Sequence, residues 1–99
     1  MEQWDPLLVE LMKTAVYDPE RARQLVISQP HVLDLRTGLG ETALHYLAVE
    51  NYADAVQLLI DLGAKINVTN DFGKSPLEEA ELAEATDAVT VLRRAGADT

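Results

Sequence analysis

The distribution of apolar residues in the middle of the chain predicts an amphipathic helix. Apolar side chains recur there near the 3.6-residue period of an α-helix, so they share one face. A glycine follows at position 63, where a helix commonly ends with a residue in the left-handed conformation. The apolar stripe consists of Ala55, Val56, Leu58, Leu59 and Leu62.

The same pattern returns after 33 residues, which is typical of a repeat protein. Segment 40–45, Gly-Glu-Thr-Ala-Leu-His, is echoed by segment 73–78, Gly-Lys-Ser-Pro-Leu-Glu. The offset continues downstream, where Leu59 matches Leu92. Subtracting 33 places Leu44 on Leu11, so a degraded first copy keeps the same register. We therefore expect three copies of a helix-turn-helix unit.

Capping residues mark where the predicted helices begin. Thr42 and Ser75 are good N-cap residues, and Ser75 is followed by a proline, whose missing N–H costs nothing at the first helical position. Ser75 and Glu78 also have the spacing of a capping box. In the first copy, segments 5–6 and 18–19 both read Asp-Pro, which is the same start signal.

These features resemble the ankyrin-repeat family. The resemblance is clear over residues 31–99, and it extends over residues 5–30 by register alone. It implies an all-α fold, a solenoid of stacked helix-turn-helix units with β-hairpin-like finger loops at 31–39 and 64–72. The motifs that carry it lie in segments 40–48, 55–67, 70–77 and 92–98.

We expect one ankyrin-repeat domain over residues 1–99. It divides into a divergent N-terminal capping repeat at 5–36 (repeat 1), an internal repeat at 37–69 (repeat 2) and a C-terminal capping repeat at 70–99 (repeat 3). The capping assignment rests on polar replacements, since a terminal repeat has one face in water. Repeat 3 places Glu79, Glu81 and Arg93 where repeat 2 has Tyr46, Ala48 and Ile60, and repeat 1 places Lys13 opposite Tyr46. This distribution predicts a whole domain.

Charge and composition narrow the possible partners. The formal net charge is −9, which argues against nucleic acid and anionic membranes, because both require basic surfaces. The chain has no cysteine, and the sequence contains no signal region or membrane-spanning stretch. We expect a cytoplasmic protein without a cofactor or a metal ion, and an acidic surface that favours a basic partner.

Candidate catalytic chemistry is weak. His45 near Thr42 is a combination of residue types that occurs in catalytic sites. The resemblance, however, implies that His45 has a structural role and forms hydrogen bonds around its own turn. His31 is expected to be a solvated loop residue. Four carboxylates share one predicted helix and are read as an acidic outer face rather than a metal site: Glu78, Glu79, Glu81 and Glu84. We therefore do not expect an enzyme.

Three aromatic residues lie outside the repeat motifs. Trp4 precedes the first helix, and it is interpreted either as a partner anchor or as a residue that folds onto the exposed end of the stack. Tyr17 and Tyr52 are expected to bury their rings between helices and to keep their hydroxyls in water.

The resemblance implies that the chain binds another protein through its concave face and finger tips. Leu39 and Phe72 are 33 residues apart, so they occupy the same place on successive tips. They either anchor a partner or fold back over their own turns. The expected partner-binding residues are Arg36, Leu39, Glu41, Val49, Glu50, Thr69, Asp71, Phe72, Lys74 and Leu82.

Two further functions stay open. The same surface, or an uncapped end, could make a homodimer or other homo-oligomer, so the chain is expected to be a monomer or a homodimer. An inhibitor or immunity-type protein, whose acidic surface blocks a basic toxin or nuclease, is a specific version of the binding function.

Overall fold

The computed structural model describes residues 4–97. Six α-helices are present in this part of the chain: α1 (Pro6–Tyr17), α2 (Pro19–Ser28), α3 (Ala43–Val49), α4 (Ala53–Asp61), α5 (Pro76–Leu82) and α6 (Thr86–Arg94). A short 3₁₀ helix, Pro30–Asp34, follows α2. No strand is present within residues 4–97, so the fold is all-α as expected.

The helices form two layers. The first helices of the three pairs, α1, α3 and α5, lie side by side, while α4 packs against α6 behind them. Leucines on the inner faces fill the space between the layers, and their burial removes apolar surface from water. The largest of these buried side chains are Leu8, Leu11, Leu44, Leu47, Leu59, Leu77 and Leu92.

The expected helix starts are confirmed. The Asp5 carboxylate accepts from the Leu7 N–H, and the Asp18 carboxylate accepts from the Arg21 N–H. Ser75 and Glu78 form the expected capping box at α5. These side chains satisfy amides that a helix leaves unpaired in its first turn.

The connections differ in one respect from the sequence-based expectation. Residues 31–34 were expected to belong to a finger loop, but they continue a 3₁₀ turn from Pro30. Proline favours this start because its φ is already restricted to a helical value. The fingers themselves are tight turns at 37–41 and 70–74.

Candidate functional site

The two finger turns are built in the same way. In the first, the Thr37 N–H donates to the Glu41 carbonyl (2.9 Å), and the Thr37 hydroxyl accepts from the Leu39 amide (3.2 Å). In the second, the Asn70 N–H donates to the Lys74 carbonyl (2.9 Å), and its side-chain oxygen accepts from the Phe72 amide (3.0 Å). Each turn is held by a buried polar side chain at its base, which holds the tip residue outward.

Leu39 and Phe72 therefore lie at equivalent tips, as the 33-residue offset predicted. Their side chains are 49% and 63% exposed, so neither is folded completely against its own turn. The Asp71 N–H donates to the Leu39 carbonyl (2.9 Å), which joins the two tips through the backbone. The tips form one continuous edge with two exposed apolar groups.

A second periodic pair lies at the ends of the first helices. Val49 ends α3 and Leu82 ends α5, again 33 residues apart, and they are 37% and 70% exposed. Leu82 and Lys74 line a shallow groove of about 260 Å³ together with Glu78 and Glu81. The structure thus brings two of the predicted partner-binding residues, Lys74 and Leu82, to one place.

Arg36 has a scaffold role that the sequence did not reveal. Its guanidinium donates to the carbonyls of Gly40 and Thr69, both at 2.8 Å. Two neighbouring fingers are therefore clamped together by one side chain. Of the other predicted partner-binding residues, Glu41 and Asp71 lie in the finger turns and Glu50 is the C-cap of α3, and none of the three is buried.

His45 is a structural residue in this geometry. The Thr42 N–H donates to Nδ1 (3.3 Å), while Nε2–H donates to the Lys74 carbonyl (2.9 Å). The network thus assigns the proton to Nε2. Burial lowers the pKa of His45, although the bond to the Lys74 carbonyl opposes this effect. The expected bonding around its own turn is confirmed, and a bond to the next finger is added.

The acidic residues of α5 are largely engaged within the repeat. Glu78 accepts from the Ser75 amide, Glu79 accepts from Asn70 (2.9 Å), and Glu81 pairs with Arg93 of α6. Residues 4–97 contain no group of three or more histidine, aspartate or glutamate side chains placed to hold a metal ion. In the same part of the chain, no helix is long and apolar enough to cross a membrane.

The expectation for two tyrosines was wrong. Tyr17 is 79% exposed and Tyr52 is 41% exposed, because Tyr17 is the last residue of α1 and Tyr52 directly precedes α4, so both lie at the turn between the two helices of a repeat. The pKa of Tyr52 is raised, first by Tyr17 and then by partial desolvation, with Glu50 contributing. Both tyrosines line the same groove.

These tyrosines belong to a groove between α1 and α3. Trp4 packs edge-on against Tyr46, with ring centroids 5.5 Å apart, and thereby reaches repeat 2. The groove has a volume of about 200 Å³ and is lined by Trp4, Val9, Met12, Lys13, Tyr17, Tyr46 and Tyr52. Two sequence features pointed to this groove. Lys13 and Tyr46 are equivalent positions of repeats 1 and 2, and three aromatic residues, Trp4, Tyr17 and Tyr52, lie outside the repeat motifs.

Comparison with known proteins places the chain in a family. A family model that describes three copies of the ankyrin repeat matches residues 11–99 of this sequence. The chain belongs to the ankyrin-repeat family, whose repeats are protein–protein interaction modules. The expected family and solenoid fold are thereby confirmed.

The curated relatives are much longer proteins. The chain is 40% identical over 76 residues to the human ankyrin repeat and SOCS box protein 16, covering 77% of this chain and 16% of that protein. It is 34% identical over 74 residues to a putative ankyrin repeat protein of Rickettsia bellii, covering 72% of this chain and 11% of that protein. A match to mouse diacylglycerol kinase iota covers 54% of this chain and only 5% of that enzyme.

A solved structure is also similar. One chain from the complex of a predatory endopeptidase of Bdellovibrio bacteriovorus with an immunity protein superposes with a TM-score of 0.76. The identity is 25%, and the similarity covers 85% of this chain and 44% of that chain. This neighbour supports the stacked helix-pair architecture.

Proposed function

We propose that the protein is a non-catalytic module that binds another protein through its finger tips and the exposed ends of its first helices. The main support for this proposal is that exposed apolar residues recur at equivalent positions of successive repeats. Leu39 and Phe72 repeat on the tips, and Val49 and Leu82 repeat on the helices. Isolated exposed apolar residues are common, whereas residues repeated along one edge favour a binding surface.

The energetics of these residues support the proposal. Covering an exposed apolar side chain of this size contributes roughly 1.5–3 kcal/mol when burial is complete. Aromatic residues are enriched among the residues that dominate binding, which makes Phe72 the strongest candidate anchor. The charged residues around the tips, Glu41, Asp71 and Lys74, would form the polar rim of such an interface.

The acidic character of the chain favours a basic protein surface as the partner. A net charge of −9 steers association with a positively charged surface and opposes approach to nucleic acid or an anionic membrane. We propose a cytoplasmic module without a cofactor. The two outer repeats are proposed to act as caps, which is supported by the Glu81–Arg93 pair at the positions of Ala48 and Ile60.

Mutation of the tips tests this proposal. A partner is first captured from native cell extract with the unmodified chain, identified by mass spectrometry and purified. Titration calorimetry then compares Leu39→Ala, Phe72→Ala and the double variant with Ile27→Ala, a matched control that removes an exposed apolar residue from α2. We expect each tip variant to weaken binding, the double variant most, while thermal stability changes little. Unchanged affinity in the double variant would remove the tips from the interface.

Two narrower functions would use the same surface. A self-associating homo-oligomer would show a mass above that of one 10.9 kDa chain in size-exclusion chromatography with light scattering. An inhibitor or immunity-type function is supported by the acidic charge and by the similarity to a chain from an endopeptidase–immunity protein complex. That function requires a basic toxin, protease or nuclease to lose activity when the protein is added.

A further inference from the structure

The aromatic groove between α1 and α3 is a surface separate from the finger tips, and no finger residue lines it. The chain has five aromatic residues, and four of them line this groove: Trp4, Tyr17, Tyr46 and Tyr52. Tyr46 also packs against the hydrophobic core, whereas Trp4, Tyr17 and Tyr52 are exposed. Four amphipathic rings on one exposed groove form a surface prepared to contact a ligand.

The size of the groove favours an extended peptide over a small molecule. Its volume of about 200 Å³ is below the roughly 300–1,000 Å³ of pockets that enclose small ligands. A few residues of extended chain, which need contact on one side only, match this shape.

The hydrogen-bond donors in the groove favour one backbone conformation for that peptide. The indole N–H and the tyrosine hydroxyls can donate hydrogen bonds beside flat apolar rings. A polyproline II segment has no internal hydrogen bonds, so its carbonyls are free to accept, and its proline rings stack on aromatic faces. A helical peptide, in contrast, has already used most of its carbonyls within the helix.

The charge in the groove defines one side chain of the peptide. Lys13 is exposed and lies among the aromatic residues. Its ammonium has no ion-pair partner within residues 4–97, whereas Arg21, Lys65 and Arg93 are paired with carboxylates there. Lys13 is the one charged residue that lines the groove, with Glu50 near Tyr52 at its edge, so the lining complements one carboxylate placed beside Lys13. Further acidic residues on the ligand would be repelled by the net charge of −9.

We infer that this groove is a second binding site, which takes a proline-rich segment carrying one acidic residue and pairs that residue with Lys13. The proline rings lie across the Trp4–Tyr46 pair and the Tyr17–Tyr52 pair, and the carboxylate lies between the two pairs. The ligand of this second site is therefore an exposed polyproline II stretch of a protein, whereas the basic surface proposed above belongs to the finger tips.

A direct optical measurement tests the site, because Trp4 is the single tryptophan of the chain. The probe is a nonaproline peptide with one central glutamate, and its matched controls carry glutamine at that place or replace the prolines by glycine and serine. We expect a saturable change in Trp4 fluorescence with the glutamate peptide, weaker binding of the glutamine peptide and no saturation with the glycine–serine peptide. Equal binding of all three peptides, or saturation only with an alanine-rich helical peptide, would overturn the inference.

Variants separate the groove from the finger tips. Tyr17→Ala removes a side chain that is 79% exposed, so folding is retained, and we expect binding of the glutamate peptide to weaken about tenfold. Lys13→Gln should abolish the preference for glutamate over glutamine. The matched control is Phe72→Ala, which removes the one aromatic residue outside the groove and should leave peptide binding unchanged. If Phe72→Ala weakens peptide binding as much as Tyr17→Ala, the peptide binds at the tips and the inference is wrong.

Discussion

Repeats 2 and 3 have nearly the same local geometry but different surroundings. Both have a finger closed by a buried polar residue, a positive-φ glycine (Gly40 and Gly73) and a capping box. Repeat 2 is also bonded to the next repeat, because the His45 ring donates to the Lys74 carbonyl and the Asn51 side chain accepts from the Ala88 N–H. In repeat 3, Glu78 replaces His45 and satisfies its own cap. The comparison shows that the equivalent positions 45 and 78 both cap their own helix, and that only the residue in repeat 2 also bonds the repeat stacked on it.

The largest expected effect comes from the finger glycines. A Cβ at Gly40 would lie 2.5 Å from the Asp71 carboxylate and 2.9 Å from the Asp71 amide nitrogen, whereas a Cβ at Gly73 would meet nothing within 4 Å. Gly40→Ala should destabilise the fold by about 3 kcal/mol, since overpacking adds to the cost of a positive φ. Gly73→Ala should cost about 1 kcal/mol, the conformational part alone. Urea denaturation measures the free energy of unfolding of both variants. An equal decrease in the two would mean that the close approach of the fingers at Gly40 does not affect stability.

The second effect concerns the two capping boxes. His45→Ala removes a fully buried ring and bonds to two repeats, so it should lower the free energy of unfolding by about 2–3 kcal/mol. Glu78→Ala removes only a cap and should cost about 1 kcal/mol. Thermal and urea melts check the ranking. Partner binding per folded molecule should survive in both variants, and a binding loss without a stability loss would contradict the structural role of His45.

A smaller effect distinguishes the turns after the first helices. Asn51 and Glu84 are equivalent positions with φ of 62° and 57°. The Asn51 side chain accepts from the Ala88 N–H (2.9 Å) and thereby caps α6, whose own N-cap residue supplies no side-chain bond. Glu84→Gly should therefore stabilise by about 1 kcal/mol through relief of strain. Asn51→Gly should destabilise instead because the cap is lost. Changes of the same sign, measured by chemical denaturation, would refute this distinction.

The smallest effect is a pH dependence at the junction. Because the pKa of His45 is lowered on folding, the unfolded chain binds its proton more readily. The stability that the neutral ring contributes is fully present above about pH 6.5 and is lost as the pH falls below that value. The difference in unfolding free energy between the native chain and His45→Gln should narrow on acidification. Ile27→Ala, at an exposed position of α2 without a titratable side chain, serves as the control and should keep the native slope.

Local features of the fold could be predicted from the sequence, and junction contacts could not. Thr42, Ser75 and the prolines act on their own helices, so their spacing was sufficient. The bonds from Arg36, His45 and Asn51 span 29 to 37 residues and exist only because one repeat stacks on the next. The exposure of Leu39 and Phe72 followed from the turn. The exposure of Tyr17 and Tyr52 depended on where α1 ends and where α4 begins, which the apolar pattern left open.

The uneven bonding of the stack has a consequence for low temperature. The junction of repeats 2 and 3 is crossed by the hydrogen bonds of His45 and Asn51. Helices α1 and α2 meet repeat 2 through apolar packing, the edge contact of Trp4 with Tyr46 and the contact between the phenols of Tyr17 and Tyr52, while their ion pair, Glu10–Arg21, lies within repeat 1. Apolar association weakens as water is cooled, whereas hydrogen bonds do not share this dependence. Chilling should therefore loosen the N-terminal helix pair first. In a protein with this construction, the aromatic groove beside α1 is also the part whose shape responds most to cold.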